Sequence, residues 1–173
     1  PVEHSCVSAW CKPSLEVKRS GSIIIESPTK SSVQLANSET GILQTLPEGL
    51  YMSDIVQAVG KINFSFKQSQ IQSAIISGHK FGGPTGIGVV VTHPNFNLIP
   101  QLIGGGQEKG RRAGTENFIS IVGFGAAVEF AKQQLDDGVW EKVRELRDYL
   151  EVELANCSQN TIFIGQGQDR LPN

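Results

Sequence analysis

The sequence has few cysteines and no long apolar run. Its three cysteines, Cys6, Cys11 and Cys157, are odd in number and form no CxxC pair, which favours neither a disulfide framework nor a zinc site. We expect each thiol to fill space in the interior. No apolar stretch could span a bilayer, and the first residues lack the basic start and apolar middle of a signal peptide. These absences predict a cytoplasmic protein with no membrane partner.

An excess of charge of one sign is also missing. The chain has 15 Lys and Arg against 17 Asp and Glu, with a net charge of -2. The basic residues are scattered, apart from Lys109, Arg111 and Arg112, so no broad basic surface for nucleic acid is predicted. At 173 residues and 39% hydrophobic composition, the chain has the size and composition of one globular domain with a buried core.

Short apolar runs alternate with glycine and proline over the first two thirds of the chain. Several runs are continuously apolar, as expected for strands whose two faces are both covered. The pattern predicts an α/β fold with a mainly parallel sheet and flanking helices. The predicted strands are Ser22 to Ile25, Val33 to Ala36, Leu50 to Ser53, Ser73 to Ser77 and Ile87 to Thr92.

The last third of the sequence is helical in pattern. Residues 115–134 are apolar and small, which predicts a buried helix packed closely through Gly123, Gly125, Ala126 and Ala127. A second, long surface helix is predicted over about 139–157, with one apolar stripe at spacings of four and three residues. That stripe consists of Val139, Val143, Leu146, Leu150 and Leu154. A last short apolar run, 161–164, predicts a further strand.

The stretch "IISGHKFGGPTGIG", residues 75–88, places a lysine directly after a predicted strand. Ligands of α/β sheets usually bind at the carboxyl ends of strands, so Lys80 is a candidate nucleophile for Schiff-base chemistry with a carbonyl. The glycines allow positive φ and close backbone approach. The register fits neither a Walker A loop nor a GxGxxG dinucleotide fingerprint. On these residues alone, a solvated surface lysine is the alternative reading.

The stretch "LYMSDIVQAVGK", residues 50–61, carries a carboxylate and an amide after another predicted strand. Asp54 and Gln57 would face the same crevice as Lys80. If the carbonyl partner of Lys80 were pyridoxal phosphate, an aspartate beside the ring nitrogen would make the ring an electron sink. The alternative is that Asp54 caps a helix beginning at Ile55.

Two further stretches of the sequence add to these two motifs. "LANSETGILQ", residues 35–44, ends a predicted strand in a polar turn, and "GGGQEKGRRAGTEN", residues 104–117, suits contact with an anion before a helix. Together the four motifs resemble the cysteine desulfurase branch of the class V, pyridoxal-phosphate-dependent aminotransferase superfamily, over nearly the whole chain.

The resemblance implies a fold type I, pyridoxal-phosphate-transferase-like large domain. It also implies that residues 1–173 are one partial cofactor-binding domain, incomplete at both ends, with 158–173 starting the connection to a small domain.

The same resemblance implies a set of site residues. Lys80 would bind the cofactor covalently and move protons on the substrate, and His4, in "VEHS", would stack on the pyridine ring as the second catalytic residue. The other predicted cofactor contacts are Asn37, Asp54 at the ring nitrogen, Gln57 near the phenolic oxygen, Ser77 and His79 at the phosphate, and Thr115 at the phosphate of the neighbouring subunit. For His4 a terminal surface position, and for Ser77 a turn-forming role, are the structural alternatives.

The activity implied is removal of sulfur from L-cysteine to give L-alanine and an enzyme persulfide, with the nucleophilic cysteine outside this chain. A homodimer, a sulfur-acceptor protein and a link to iron–sulfur cluster assembly are implied as well. Selenocysteine lyase, another class V enzyme and a non-catalytic fragment remain alternatives.

Two departures from the family pattern stand out. Ser38 occupies the place of a second asparagine, which in the family contacts the cofactor. The stretches from His4 to Asn37 and from Gln44 to Asp54 are shorter than in the family, and the second is too short for the helix expected between parallel strands.

Overall fold

A computed structural model describes residues 2–173 of the chain. Four α-helices and three strands form its regular structure, with short 3₁₀ turns at 28–30, 78–81 and 107–110. The helices are α1 (Ser5–Ser8), α2 (Phe66–Ser69), α3 (Phe118–Asp136) and α4 (Val139–Cys157), and the strands are β1 (Ser53–Asp54), β2 (Ser73–Ser77) and β3 (Gly88–Thr92).

The three strands form one mixed sheet in the order β1-β2-β3. β1 runs parallel to β2, with Asp54 opposite Ile75, and β3 runs antiparallel to β2, with Gly88 opposite Ser77. The α/β fold class is thus confirmed, but the sheet is mixed where a mainly parallel one is predicted. The antiparallel pair arises because the connection from β2 to β3 is a turn, which is too short for a parallel crossover.

The predicted strand 33–36 is an extended segment along the free edge of β1. Val33 N–H donates to Met52 O at 3.1 Å, and Leu35 N–H donates to Asp54 O at 2.8 Å. A parallel bridge between Ser32 and Met52 gives its direction. Between this segment and β1, residues 37–52 contain no helix, in keeping with the shortness of that stretch.

Two predicted strands do not form. Ile23, in the first, makes one antiparallel bridge with Val17, and its N–H donates to the side chain of Gln44 at 2.8 Å. Residues 161–164 form irregular backbone and turn, and Ile162 and Ile164 are 85% and 66% exposed. The first run pairs only with the short segment around Val17, and the second forms no bridge within residues 2–173, so neither extends into a strand.

The core lies where β1, β2 and the extended segment meet. It is built mainly from aliphatic side chains, and the carboxyl-terminal Leu171 returns to join it. Its buried members are Val33, Leu35, Ala36, Leu50, Ile55, Ala58, Ile71, Ala74 and Leu171.

Helix α3 is apolar but not buried all round, so the prediction of a buried helix is wrong. Its inward face consists of small residues, Ser120, Ala127 and Ala131. Phe124 also packs inward, against Phe81, but most of the large apolar side chains point away from this face: Phe118 is 69% exposed and Val122 is 72% exposed. An apolar composition predicts that a helix will be covered, but not that the covering surface lies within residues 2–173.

The leucine stripe predicted on α4 does not face the core. Leu146, Leu150 and Leu154 are 68%, 56% and 43% exposed. The helix instead turns a partly charged face inward, where Arg147 donates to the carbonyl of Leu171. Glu151 lies on the same face and pairs with Arg170 at 2.8 Å. A tertiary ion pair and a side-chain-to-backbone hydrogen bond to the 170–171 segment therefore set the rotation of α4.

Gly60 fixes the distance between α3 and the rest of the fold. Its φ is +78°, and an added Cβ would lie 2.9 Å from the Cβ of Ala131 and 3.3 Å from the Cβ of Phe81. The ring of Phe81 in turn packs edge-on against Phe124 of α3, with centroids 5.3 Å apart. The turn at Gly60, helix α3 and the 78–81 turn therefore pack together at a residue that has no side chain.

Of the helices in residues 2–173, none combines the length and the apolar composition needed to cross a membrane. The three cysteines are free and exposed, so the prediction that each fills interior space is wrong. Nor do His, Cys, Asp and Glu side chains gather into a metal-binding group in that part of the chain.

Gly60→Ala should lower the free energy of unfolding by about 2–4 kcal/mol, because a left-handed backbone and overpacking against Ala131 both add cost. Gly167 is the matched control, since it has the same φ of +78° with nothing within 4 Å of an added Cβ. Gly167→Ala should cost only about 1–2 kcal/mol. Chemical denaturation of both variants measures the difference, and equal losses would show that the contact with Ala131 has no energetic weight.

Candidate active site

Three extended segments end at the same edge of the molecule. The 33–36 segment, β1 and β2 run parallel, so Asn37, Asp54 and Ser77 follow or close their carboxyl ends side by side. That edge is where ligands of α/β sheets bind. The topology therefore brings together residues that lie as far as 40 positions apart in the sequence.

Lys80 lies on the 3₁₀ turn 78–81, directly after β2. Its side chain is exposed at this edge. The turn closes through a bond from Gly83 N–H to Gly78 O at 2.9 Å, which needs glycine because a Cβ at position 83 would lie 2.8 Å from that same oxygen. Gly82 follows with φ +89°. The glycines after the lysine thus form the tight turn that the sequence predicts.

Ser77 and His79 form a pair beside Lys80. The hydroxyl Oγ of Ser77 lies 3.0 Å from Nδ1 of His79. A hydroxyl and an imidazole N–H are both suitable donors to an anionic oxygen. The structure brings these two predicted residues together with the lysine on one short segment.

Asp54 is buried, with 7% of its surface exposed. Its Oδ1 accepts one bond, from Val56 N–H at 2.9 Å, so it caps the turn that follows β1. The structural alternative predicts a helix beginning at Ile55, but residues 56–61 form a turn instead. Burial raises the pKa of the Asp54 carboxyl, and the Val56 hydrogen bond and the nearby His4 oppose that rise. A carboxylate with a single backbone donor retains acceptor capacity for a cationic N–H.

His4 is held near Asp54 by the amino-terminal segment. Glu3 Oε1 accepts from Gln34 N–H at 2.7 Å, and the carbonyl of Val2 accepts from the side chain of Gln34 at 2.7 Å. His4 itself is exposed and caps α1, with its Nδ1 accepting from Cys6 N–H at 3.2 Å. The amino-terminal residues lie along the 33–36 segment, which places the imidazole of His4 at the edge of the site.

Gln57 lies on the turn after β1 and is half-buried. Its Oε1 accepts from Lys61 Nζ at 3.2 Å. Gln57 and Asn37 both line a cavity of about 410 Å³. Lys80, His4 and Asp54 do not line this cavity.

Asn37 organises its own turn. Its Oδ1 accepts from the backbone N–H groups of Glu39 and Thr40 and from the Thr40 hydroxyl, at 2.9–3.0 Å, and its Nδ2 donates to Val2 O at 3.1 Å. One amide hydrogen is left for a ligand. The Ser38 hydroxyl donates to Glu39 at 3.2 Å, so its side chain is directed to a neighbour in sequence.

Thr115 lies apart from these residues. It is exposed on the segment before α3, and within residues 2–173 no hydrogen bond joins it to Lys80, Ser77 or His79. The predicted anion-binding segment 104–117 is likewise exposed, with Glu108 and Lys109 in the left-handed region at φ 47° and 58°. The contribution of Thr115 to a neighbouring subunit stays a prediction.

Sequence reasoning missed two residues of this site. Glu3 has a half-buried carboxylate whose pKa is raised by burial and by the charge of Asp54, and its Oε2 has no hydrogen-bond partner among residues 2–173. Lys61 is the second, and its Nζ donates to the amide of Gln57. The spacing of four residues from Gln57 to Lys61 is the signal that could have identified the lysine, whereas no pattern marks Glu3.

Cys6 is the thiol nearest the site. Its Sγ lies 3.0 Å from His4 Nδ1. Burial, and then the charge of Asp54, raise the pKa of the Cys6 thiol. Because thiolate is the reactive form, these effects make Cys6 a poor nucleophile.

Comparison with known proteins gives consistent relatives. The family model described as "Aminotransferase class-V" matches residues 14–173. A cysteine desulfurase of Gluconacetobacter diazotrophicus is 41% identical over 152 residues, which cover 83% of this chain and 38% of that protein. The cysteine desulfurase NifS of Azotobacter vinelandii is 37% identical over 198 residues, covering 99% of this chain and 49% of that protein.

Solved structures agree with the sequence relatives. A NifS-like protein from Rickettsia africae superposes with a TM-score of 0.86 at 30% identity, covering 99% of this chain and 54% of its own. A structure of SspA in complex with cysteine gives a TM-score of 0.65 at 30% identity, covering 74% and 45% of the two chains. The chain spans less than half the length of the two curated relatives. The 198-residue alignment with NifS also exceeds the 173 residues of this chain, so that relative carries segments absent here.

Asp54→Asn should stabilise the ligand-free protein. Because the folded-state pKa of Asp54 lies above its ordinary value of 3.8, the folded state binds more protons than the unfolded state just above that pH, and stability falls as pH rises through the folded-state pKa. Asparagine keeps the acceptor for Val56 without the buried charge. We expect the melting temperature to rise at about pH 7, by about 2–4 °C for each kcal/mol gained, and the gain to shrink toward about pH 4.

Asp169→Asn is the control for loss of a surface carboxylate, since Asp169 is exposed. It should leave the melting temperature nearly unchanged at both pH values. An Asp54→Asn protein that melts below the unsubstituted protein at neutral pH would contradict the conclusion that this charge is destabilising.

Proposed function

The chain belongs to the aminotransferase class-V family, and from this premise we propose that it forms the pyridoxal-phosphate-binding core of a cysteine desulfurase. The reaction removes sulfur from L-cysteine and yields L-alanine and an enzyme-bound persulfide. One observation carries the proposal: an exposed lysine, a buried carboxylate and the Ser77–His79 pair share the carboxyl edge of parallel strands. The cysteine bound in the SspA structure supports the choice of substrate.

The donor set fits the cofactor group by group. The lysine amine can react with the aldehyde of the cofactor, and the carboxylate can pair with its ring nitrogen. The amide can donate to the phenolic oxygen, and the hydroxyl and the imidazole can donate to the phosphate. The unused acceptor capacity of buried Asp54 is the structural observation that this fit explains. When bound, pyridoxal phosphate supplies an electron sink for cleavage of bonds at the substrate.

Lys80 is the residue we assign to the covalent bond with the cofactor's aldehyde carbon. Its Nζ would then serve as the acid and base that moves protons on the bound amino acid. The tight turn at Gly82 and Gly83 directs the backbone away directly after the lysine, which leaves room in front of the amine.

Asp54 is the residue we assign to the pyridine nitrogen. In the ligand-free protein its ionised form is disfavoured by burial. A protonated ring nitrogen would compensate that cost through a charge-assisted hydrogen bond. His4, held close to Asp54, would cover one face of the ring.

Ser77 and His79 are assigned to the phosphate, and Gln57 to the phenolic oxygen. Asn37 has one free amide hydrogen for the same ligand, and Thr115 would reach the phosphate of a second subunit in a homodimer. We place the nucleophilic cysteine outside residues 1–173, as the resemblance to the cysteine desulfurases implies. A sulfur-acceptor protein, a role in iron–sulfur cluster assembly and a cytoplasmic location stay predictions.

Lys80→Ala should abolish the covalent adduct with pyridoxal phosphate. We expect the unsubstituted protein to develop a visible absorbance band with the cofactor, and borohydride reduction to fix the cofactor mass on the peptide that contains Lys80. The control is Lys67→Ala, since Lys67 is an exposed lysine on α2. A reduced adduct at the same peptide in Lys80→Ala would remove the assignment.

The complete protein, loaded with pyridoxal phosphate, should convert L-cysteine to L-alanine with release of one sulfide per alanine under reducing conditions. Amino-acid analysis and sulfide determination measure the two products. Asp54→Ala should reduce turnover by orders of magnitude, because the ring then loses its charge partner. Release of selenide from selenocysteine with no action on cysteine would favour a selenocysteine lyase instead.

A further inference from the structure

Lys61 is a second lysine beside the candidate active site, and none of the assignments above uses it. Its side chain is half-buried, and its Nζ donates to Gln57 Oε1 at 3.2 Å. The same Nζ lies 6.0 Å from the centre of the Trp140 ring, at the first turn of α4. The ammonium group is thus held between an amide and an aromatic face.

The chemistry of an ammonium group determines how the Gln57 amide is oriented. A protonated lysine has three donors and no acceptor, whereas a carboxamide has one acceptor atom and one NH₂ group. Gln57 must therefore present its oxygen to Lys61. Its NH₂ group is left to donate toward a ligand.

The backbone that carries this pair is tightly fixed. Gly60, directly before Lys61, packs against Ala131 and Phe81 with no space for a side chain. Phe81 is the neighbour of Lys80 in sequence, so the Gln57–Lys61 turn and the Lys80 turn touch through this contact. A preorganised amide loses less conformational entropy when it binds a ligand.

The charges of Lys61 and Lys80 also interact. Burial lowers the pKa of Lys61, and the positive charge of Lys80 lowers it further. The contact with Trp140, the only aromatic partner recorded for a cation in residues 2–173, partly offsets the burial of the charge.

We propose that Lys61 is a positioning residue that orients the Gln57 carboxamide with its NH₂ group toward the bound cofactor, where it donates to an anionic oxygen. This inference rests on the proposed function, since it needs pyridoxal phosphate at the site. Lys61 acts through Gln57 and makes no direct contact with the reacting atoms. Its removal should free the amide to rotate, so that oxygen faces oxygen for part of the time.

A double-mutant cycle in the complete protein tests the proposal. Lys61→Met removes the donor at similar length, and spectrophotometric titration with pyridoxal phosphate gives the dissociation constant. We expect Lys61→Met to weaken cofactor binding about three- to tenfold, the size of one lost hydrogen bond. Gln57→Ala should weaken it at least as much, and the double variant should match Gln57→Ala within about twofold, because Lys61 has no effect without its amide.

The side-chain amide signals of Gln57 in nitrogen-15 NMR supply a second measurement. Their assignment comes from their loss in Gln57→Ala. Pyridoxal phosphate should shift these signals in the unsubstituted protein and shift them less in Lys61→Met. A purely structural role for Lys61 would lower the melting temperature without changing the size of that shift.

The control and the contrary outcomes are distinct. Lys67→Met, which removes an exposed lysine on α2, should leave the dissociation constant unchanged. If Lys61→Met binds the cofactor as tightly as the unsubstituted protein, or if the losses in Lys61→Met and Gln57→Ala multiply in the double variant, the positioning role is overturned while the proposed function stands. If the unsubstituted protein binds no pyridoxal phosphate, both are overturned.

Discussion

The parallel alignment of the 33–36 segment, β1 and β2 is the constraint on which the rest of the structure depends. It is fixed by few bonds, chiefly Leu35 N–H to Asp54 O at 2.8 Å and the pairing of Asp54 with Ile75. A slip of one residue would turn Asp54 to the opposite face of the sheet. Because a core of aliphatic side chains packs beneath these segments, their register is determined by burial as well as by hydrogen bonds.

That alignment creates a conflict between stability and chemistry at Asp54. A carboxylate at the end of a buried strand is desolvated, which costs free energy in the ligand-free protein. The same desolvation strengthens its attraction for a cationic ligand. Functional sites commonly contain such locally unfavourable residues, and the surrounding core compensates for them.

The sequence predicts the centre of this site better than its surroundings. The apolar run 73–77 followed by Lys80 and several glycines specifies a strand and a turn locally, and the structure has both. Helix α4 shows where such reasoning stops. Periodicity identifies its leucine stripe, but contacts between distant residues decide which face turns inward: the ion pair of Glu151 with Arg170 and the hydrogen bond from Arg147 to the carbonyl of Leu171. Glu3 was missed for the same reason, since its partner Gln34 becomes a neighbour only in the folded chain. The partner of Lys61, in contrast, is only four residues away in the sequence.

The contact at Gly60 ties sequence positions together that are far apart in the chain. A side chain at position 60 would meet Ala131, and a larger residue at 131 would meet the backbone of position 60. Either change requires α3 to move outward, and Phe124 on that helix holds Phe81 beside Lys80. A larger side chain at position 60 or 131 would therefore also disturb the packing beside Lys80, although both positions are distant from Lys80 in the sequence.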